Sequence, residues 1–354
     1  MKVAISSSDT TLELKTMKES AIIYDVITIG SGTIDVFVYT DRSESISIKT
    51  KDGKESFISY PVGSKLLIDT LDFFTGGGGT NSAATLSRLG LKVAYIGKVA
   101  NDENGFKILN ELKDENVEFL GSISQNPEEK TGYSVILDSL ERRRTILIHK
   151  GTNNSLDFSE INLERLKTKW FYFSSMLGKS FKTLEKLSNF ASRNKIKIFF
   201  NPSNYLCEKG KQYLKNILKN TQILILNKEE ASLLVGKGEP LEKIRSLKKL
   251  GPEIAIITDG KNPVYGTDGS GFYYKIFPQN IKVIEATGAG DSFSSTFLAG
   301  MIKTSDIELS LKLAITNSHS VLKFKGSKRK LLTYDEALKE VNRSSIKIEK
   351  GNLS

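Results

Sequence analysis

Cysteine and histidine are almost missing from this 354-residue chain, which has one cysteine, Cys207, and two histidines, His149 and His319. A lone thiol forms no internal disulfide, and three such residues assemble no zinc-type ligand cluster. Chemistry resting on thiolate, imidazole or bound zinc is therefore not expected, and each of the three reads as packed or solvated. Long apolar runs are missing too: no stretch could span a bilayer, and residues 1–20 are polar and charged, without the apolar core of a signal peptide. A soluble, cytoplasmic protein is the expectation. Internal repeats and low-complexity tracts are likewise absent.

With 39% hydrophobic and 26% charged residues, the chain can bury the core of one large α/β domain, or of one domain plus a small appendage. The formal charge of +10 raises the question of nucleic acid. Its lysines, however, are scattered along helical stretches such as Leu241–Leu250, as on solvated faces, and the densest basic run, Lys323–Lys330, contains no aromatic residue besides Phe324. No nucleic-acid partner is expected; an anionic small molecule would use the same field equally well.

Tyr24–Gly30 (YDVITIG) predicts a buried strand meeting a turn. From Ile34 to Tyr60 the pattern changes to short alternating segments, among them Ser45–Lys49 and Ser56–Tyr60, separated by a hairpin-type turn at Lys51-Asp52-Gly53-Lys54. A small β-rich flap fits. The period becomes helical from Gly79 to Leu89, followed by a strand at Val93–Gly97 and a helix at Asn104–Glu115. Tyr133–Leu137 and Thr145–His149 suggest a hairpin. Strands and helices then alternate: Trp170–Ser174, Lys182–Arg193, Lys197–Phe200, Lys211–Lys219, Ile223–Leu226. Ile254–Thr258 precedes a hairpin around Asp268-Gly269, and helices Ala289–Lys303 and Ile307–Leu322 close the core. Such alternation implies a mostly parallel sheet flanked by helices, with ligands near the carboxyl ends of its strands.

Three nucleotide motifs nearly match and fail. Gly30-Ser31-Gly32 has Asp35 where a dinucleotide fingerprint needs its third glycine, and Gly288-Ala289-Gly290 runs to Phe293. Gly178-Lys179-Ser180 looks like the end of a P-loop, but Phe173 stands where its first glycine belongs. What remains is a pair of glycine-rich segments that each open a helix: Thr75-Gly76-Gly77-Gly78-Gly79-Thr80-Asn81 and Ala286-Thr287-Gly288-Ala289-Gly290-Asp291. In the second, glycines admit a ligand close to the backbone, and first-turn amides with the helix dipole suit an anion. Asp291, in that turn, could take a proton from an attacking hydroxyl or could merely cap its helix. In the first, four glycines would leave room for a polyhydroxylated ligand, while Asn81 and exposed amides supply directional hydrogen bonds.

From about Asp25 to about Gly326 these residues resemble the ribokinase-like (PfkB) carbohydrate kinase family. GGGGTNSAATLSRLG (Gly76–Gly90) is similar to its first signature and ATGAGDSFSSTFLAG (Ala286–Gly300) to its second. Val99-Ala100-Asn101-Asp102 with Gly105, and Asn227-Lys228-Glu229-Glu230 as the Asn-x-x-Glu motif, lie between them in the family's order. The resemblance implies an ATP-dependent kinase that transfers the γ-phosphoryl group of MgATP to a hydroxyl of a sugar or sugar-like molecule. It makes Asp291 the base and the amides of Gly288, Ala289 and Gly290 an anion hole. Asn227 and Glu230 would organise Mg²⁺ through water, and Asn201 would lie near the phosphates. Asp35, Gly77, Gly78 and Asn81 would bind the acceptor; Thr258, Gly260 and Asn317 would lie on the nucleotide side.

The implied fold is a ribokinase-like α/β domain over 24–342, preceded by an extension at 1–23 and followed by a tail at 343–354. Its β-lid would come mainly from about 34–72 plus a hairpin near 131–150, closing over the acceptor and offering a surface for a homodimer. Some positions depart from the pattern. Ribokinases generally have asparagine at Thr33 and lysine at Gly78, so ribose is not singled out. Glu285 and Ala286 replace the aspartate and threonine that precede the second signature, which weakens the case for K⁺ as an activator, and Pro263 replaces the last glycine of the Thr-x-Gly-x-x-Gly turn. A nucleoside kinase shares both signatures, and a kinase for a phosphorylated sugar could use Lys65, Arg142, Arg143 and Arg144 as clamps, though these also read as solvated surface. A non-catalytic ligand-binding protein would have no need of a base beside the phosphates.

Overall fold

The computed structural model describes residues 24–50, 53–138 and 144–353. The predicted extension 1–23, the turn residues Lys51 and Asp52, and the candidate clamps Arg142 and Arg143 lie outside the described residues.

Ten strands form the main sheet. From one edge, Glu118–Phe119, Val93–Ile96, Tyr24–Ile29, Thr168–Ser174, Lys197–Asn201, Thr221–Asn227 and Ile254–Asp259 run parallel. Asn262–Thr267, Phe272–Ile276 and Ile348–Asn352 complete it antiparallel. Both faces are covered, which explains why the parallel strands read as continuous apolar runs. Phe171, Phe173 and Phe200 point into one core, Tyr172 and Phe199 into the other, and all five are fully buried. Each contributes on the order of 1.5–3 kcal/mol through removal from water.

The expected C-terminal tail is a difference: Ile348–Asn352 is an edge strand, paired with Phe272–Ile276. Its sequence, IEKGN, has no apolar alternation because an edge strand is held by its backbone bonds and can leave its side chains in water.

A second sheet, of four strands, orders Arg144–His149, Gly132–Asp138, Thr33–Tyr39 and Thr70–Gly76. The flap and the downstream hairpin of the sequence reading are therefore one structure, joined where Gly132–Asp138 pairs in parallel with Thr33–Tyr39. Glu44–Thr50 and Gly53–Ser59 form a separate hairpin. Thr33–Tyr39 begins just past the turn that ends the central strand Tyr24–Ile29, and Thr70–Gly76 returns directly into helix Gly78–Arg88. The small sheet thus grows out of the carboxyl end of the central strand, the end at which parallel α/β sheets bind ligands.

Helices Gly78–Arg88 and Ala289–Thr304, whose first turns follow the two glycine segments, pack against each other, with Ser82, Ala83, Ala84, Ser292, Ser294 and Ser295 buried. Small side chains allow this close approach. Among the described residues no helix is long and apolar enough to cross a membrane.

Candidate active site

The first glycine segment is shaped by what the protein itself places against it. Helix Gly78–Arg88 begins on the turn after the central strand, where the Gly79 amide donates to the Ser31 carbonyl at 3.0 Å. Gly77 has φ +98°, and a Cβ there would lie 2.5 Å from the Ser31 carbonyl oxygen; at Gly79 it would lie 2.7 Å from the Gly30 carbonyl carbon. Packing against the preceding turn therefore requires glycine at both positions. A Cβ at Gly76 would strike the Asp35 carboxyl, and one at Gly78 would come within 3.5 Å of Asp291 Oδ1 after striking the Ser174 hydroxyl. Gly76 and Gly78 therefore let two carboxylates approach the same backbone.

Asp35 stands on Thr33–Tyr39, an interior strand of the small sheet, is 7% exposed, and accepts from the Thr33 hydroxyl at 3.0 Å. Burial pushes its carboxyl up from the usual range, against the pull of the Ser134 and Thr33 hydroxyls and the Lys328 charge. Asp291 lies in the first turn of helix Ala289–Thr304. Asn81 Nδ2 donates to its Oδ2 at 2.8 Å, joining the two glycine segments across 210 residues of sequence. The N-terminus of the helix has no side-chain cap, so the capping alternative for Asp291 is not observed. Burial pushes the Asp291 carboxyl up; the Asn81 donor opposes this, the Asp35 charge adds to it, and Lys328 opposes it.

Beside Asp291 the backbone is open. Gly288 is left-handed, with φ +80°, and a Cβ there would lie 2.4 Å from Ser327 Cβ, whereas one at Gly290 would meet nothing within 4 Å. Ala289 and Gly290 line a pocket of about 410 Å³ together with Thr258, Gly260, Val264 and Phe293. Its apolar wall includes Ile315 and Leu322, a surface suited to a flat ring, with the first-turn amides at its other end.

Asn317 is not in that wall. It is fully buried, its amide donating to Thr296 Oγ1 at 2.8 Å and its carbonyl accepting the Leu332 amide at 2.9 Å. Its neighbours Ser318 and His319 line the pocket instead. On a helix, one step along the sequence turns a side chain by about 100°, so motif position alone does not choose the face. Asn201 is likewise engaged in structure, donating to the Ile225 carbonyl at 2.8 Å across two strand ends.

Asn227 and Glu230 form a capping box at the head of helix Lys228–Val235: Asn227 Oδ1 accepts the Glu230 amide and the Glu230 carboxylate accepts the Asn227 amide, both at 2.8 Å. Glu230 is 8% exposed, and burial raises its carboxyl to about 7, with the charges of Glu229 and Asp291 adding to the shift and the Asn227 amide opposing it. Among the described residues no three His, Cys, Asp or Glu side chains converge on a metal position. An oxygen-donor pair already engaged in a cap suits Mg²⁺ held through its waters and does not suit a fully protein-ligated ion.

Several residues of the site escaped the sequence reading. The basic run 323–330, given no role in the site by the sequence reading, enters it: Lys328 is 8% exposed with its ammonium 2.8 Å from Glu111, and the Ser327 hydroxyl donates to Asn81 Oδ1 at 2.9 Å. The Glu111 carboxylate also accepts from the Thr75 hydroxyl. Only the position of Ser327 and Lys328 directly after Gly326, where the resemblance ends, hinted at such a role. Arg144, one of the suggested clamps, reaches from the small sheet to the Glu285 carboxylate and to the Thr287 hydroxyl at 2.7 Å, directly before Gly288. Lys65 is exposed. Cys207 is buried, with its thiol pushed up by burial.

Residues 44–331 match the family described as pfkB family carbohydrate kinase. An uncharacterized sugar kinase of Archaeoglobus fulgidus is 30% identical over 229 residues, 63% of this chain and 88% of the relative. A 5-dehydro-2-deoxygluconokinase of Halalkalibacterium halodurans is 26% identical over 328 residues, 88% of this chain and 91% of the relative. Among solved structures, an Arabidopsis thaliana ribokinase complexed with ribose and ATP superposes with a TM-score of 0.73 at 19% identity, covering 91% of this chain and 100% of that one. An E. coli protein assigned as a ribokinase II, in complex with ATP and Mg²⁺, gives 0.75 at 17% identity with the same coverage.

Proposed function

The chain belongs to the pfkB family of carbohydrate kinases, and we propose that it moves the γ-phosphoryl group of MgATP onto a hydroxyl of a sugar or sugar-like acceptor with Asp291 as general base. The observation that carries this is the Asn81–Asp291 hydrogen bond, which ties the two glycine segments together directly beside Gly290, whose open backbone lines the 410 Å³ pocket. A carboxylate at that point is within reach of both an acceptor lying against Gly78 and a phosphoryl group lying against the helix amides.

The acceptor sits between the small sheet and the two signature helices. Asp35 accepts from its hydroxyls, while Asn81 and the backbone at Gly77 and Gly78 orient it. Asp291 accepts the proton of the attacking hydroxyl as its oxygen bonds to the γ-phosphorus and the bond from that phosphorus to the β–γ bridging oxygen breaks, leaving ADP. The amides of Gly288, Ala289 and Gly290 face the negative charge that builds on the transferring group. The nucleotide lies along Thr258 and Gly260, with Ser318 and His319 rather than Asn317 at its far side. Asn227 and Glu230 would hold Mg²⁺ through its waters, and the ion would there supply charge neutralisation on the phosphates. Activation by K⁺ finds no support: Glu285, at the position the cation would use, is already engaged by Arg144 and by the amides of Ala286 and Thr287.

The small sheet acts as the lid that excludes water from the reacting groups. Exposed apolar side chains crowd its edges and the adjoining hairpin: Ile46, Ile48 and Phe57, Leu71 and Phe73, and Ile146 through Ile148. A second copy of the chain covers them in this proposal.

The test is acceptor-dependent ADP release from MgATP over ribose, fructose, 2-keto-3-deoxygluconate, 5-dehydro-2-deoxygluconate, sugar phosphates and nucleosides, with Asp291→Asn in parallel. Turnover on one acceptor that collapses in the variant supports the reading; a variant as active as the parent overturns the base assignment. Turnover confined to nucleosides would move the acceptor class without touching the mechanism.

A further inference from the structure

The Ser327 hydroxyl donates to Asn81 Oδ1 at 2.9 Å, and Asn81 Nδ2 donates to Asp291 Oδ2 at 2.8 Å. Ser327 and Asn81 are each 4% exposed, so both are largely withdrawn from solvent and depend on protein partners. From this alignment we propose that Ser327 is a positioning residue, whose donated hydrogen bond fixes which end of the Asn81 amide faces Asp291. The inference rests on the reading of Asp291 as the base, and it gives the basic run 323–330 a part in that site.

An asparagine side chain is nearly symmetric in shape, and only its partners distinguish its oxygen from its nitrogen. An ionised carboxylate accepts and never donates, so Asp291 asks for the NH₂ end. That leaves Asn81 Oδ1 pointing away from Asp291 into a buried place where it must be met by a donor. The Ser327 hydroxyl is that donor. Without it Oδ1 is buried and unsatisfied, and the amide gains by rotating; any rotation takes the NH₂ group from Asp291. A carbonyl turned toward Asp291 can bind only the protonated acid.

Ser327 also lies hard against the phosphate-facing loop, since a Cβ at Gly288 would stand 2.4 Å from its own Cβ. A purely structural role through that contact is the competing explanation, and it makes a different prediction. Loss of packing lowers the melting temperature without moving the Asp291 titration. Loss of alignment moves the titration.

The groups that face Asp291 from every side keep the sign clear. Asp35 on the small sheet and Glu230 on helix Lys228–Val235 can carry negative charge, whereas burial pushes the Tyr172 hydroxyl on the central sheet up, so that it stays neutral while Asp291 titrates. Lys328 is the cation on its side, and it follows Ser327 directly. Asn81 is the hydrogen-bond donor to the Asp291 carboxylate, so its rotation favours protonation.

The experiment titrates the full chain labelled with ¹³C at aspartate carboxyl carbons, without nucleotide or acceptor, with the Asp291 resonance identified by its loss in D291N. Ser327→Ala is expected to raise the Asp291 midpoint by about half a unit to one unit. Ser327→Thr, which keeps the hydroxyl, is expected to return it to the parent value. A Ser327→Ala midpoint equal to that of the parent overturns the inference, whatever happens to the melting temperature. Should Ser327→Ala fail to fold, Ser327→Cys keeps the volume with a much weaker donor, and the same rise or its absence decides. The two readings fail separately: D291N that still turns over on the acceptor panel removes the base role, while a raised midpoint in Ser327→Ala leaves the alignment standing.

Discussion

Asp291 must be ionised to take a proton, and its surroundings pull in opposite directions. Burial and the Asp35 charge favour the neutral acid, while Asn81 and Lys328 favour the carboxylate. Asp291→Asn keeps the shape and removes the base; turnover is expected to fall by about 10²–10⁴-fold with MgATP binding retained, measured by ADP release and by calorimetry. Glu230 offers a test that needs no acceptor. Its carboxyl rises from an ordinary value near 4.5 to about 7 on folding. Between these values the folded chain binds more protons than the unfolded one, so this group stabilises most at low pH and its contribution is lost as pH climbs to about 7. The full effect is about 3 kcal/mol at most. Glu230→Gln is expected to flatten the fall in urea-derived stability across that window. Mg²⁺ near Glu230 should favour the ionised form and move the window to lower pH.

At the scale of elements, the two signature helices explain why glycines that look alike in sequence differ in duty. A Cβ at Gly288 would collide with Ser327, and its φ of +80° is costly for any other residue. A Cβ at Gly290 would meet nothing within 4 Å. Gly290→Ala is therefore expected to fold with an unchanged or slightly higher melting temperature and yet to bind MgATP several-fold more weakly, because its methyl group enters the pocket. Gly288→Ala is expected to lose about 2 kcal/mol or more of stability before function is considered. Scanning calorimetry paired with nucleotide titration separates the two. Both helices were legible from glycine followed by a helical period, and the strand ahead of each motif from its apolar run. The faces of those helices were not: Asn317 and His319 stand two residues apart, and only packing against Thr296 and Leu332 turns the first inward and leaves the second lining the pocket.

On the scale of the whole molecule, the small sheet and the separate hairpin leave apolar side chains such as Leu71 and Leu147 on the one and Ile46 and Phe57 on the other about half exposed. If a second copy covers them, sedimentation should give a dimer at micromolar concentration, and the double variant Leu71→Glu with Leu147→Glu should give a monomer that keeps its melting behaviour. The parallel α/β core and the residues of both glycine motifs were determined by sequence alone, because hydrophobic period and glycine placement are local properties. So was the candidacy of Asp291, carried by its place in the first turn of a helix that opens on glycines. Tertiary structure decided the rest. It set the strand order and register by which the lid segments expected at 34–72 and 131–150 form one sheet, drew 348–352 into the main sheet, and carried Ser327 and Lys328 to the back of Asn81 and the side of Asp35. A lysine or serine has the same local signature on a surface as beside a carboxylate, and only the folded chain determines what stands opposite it.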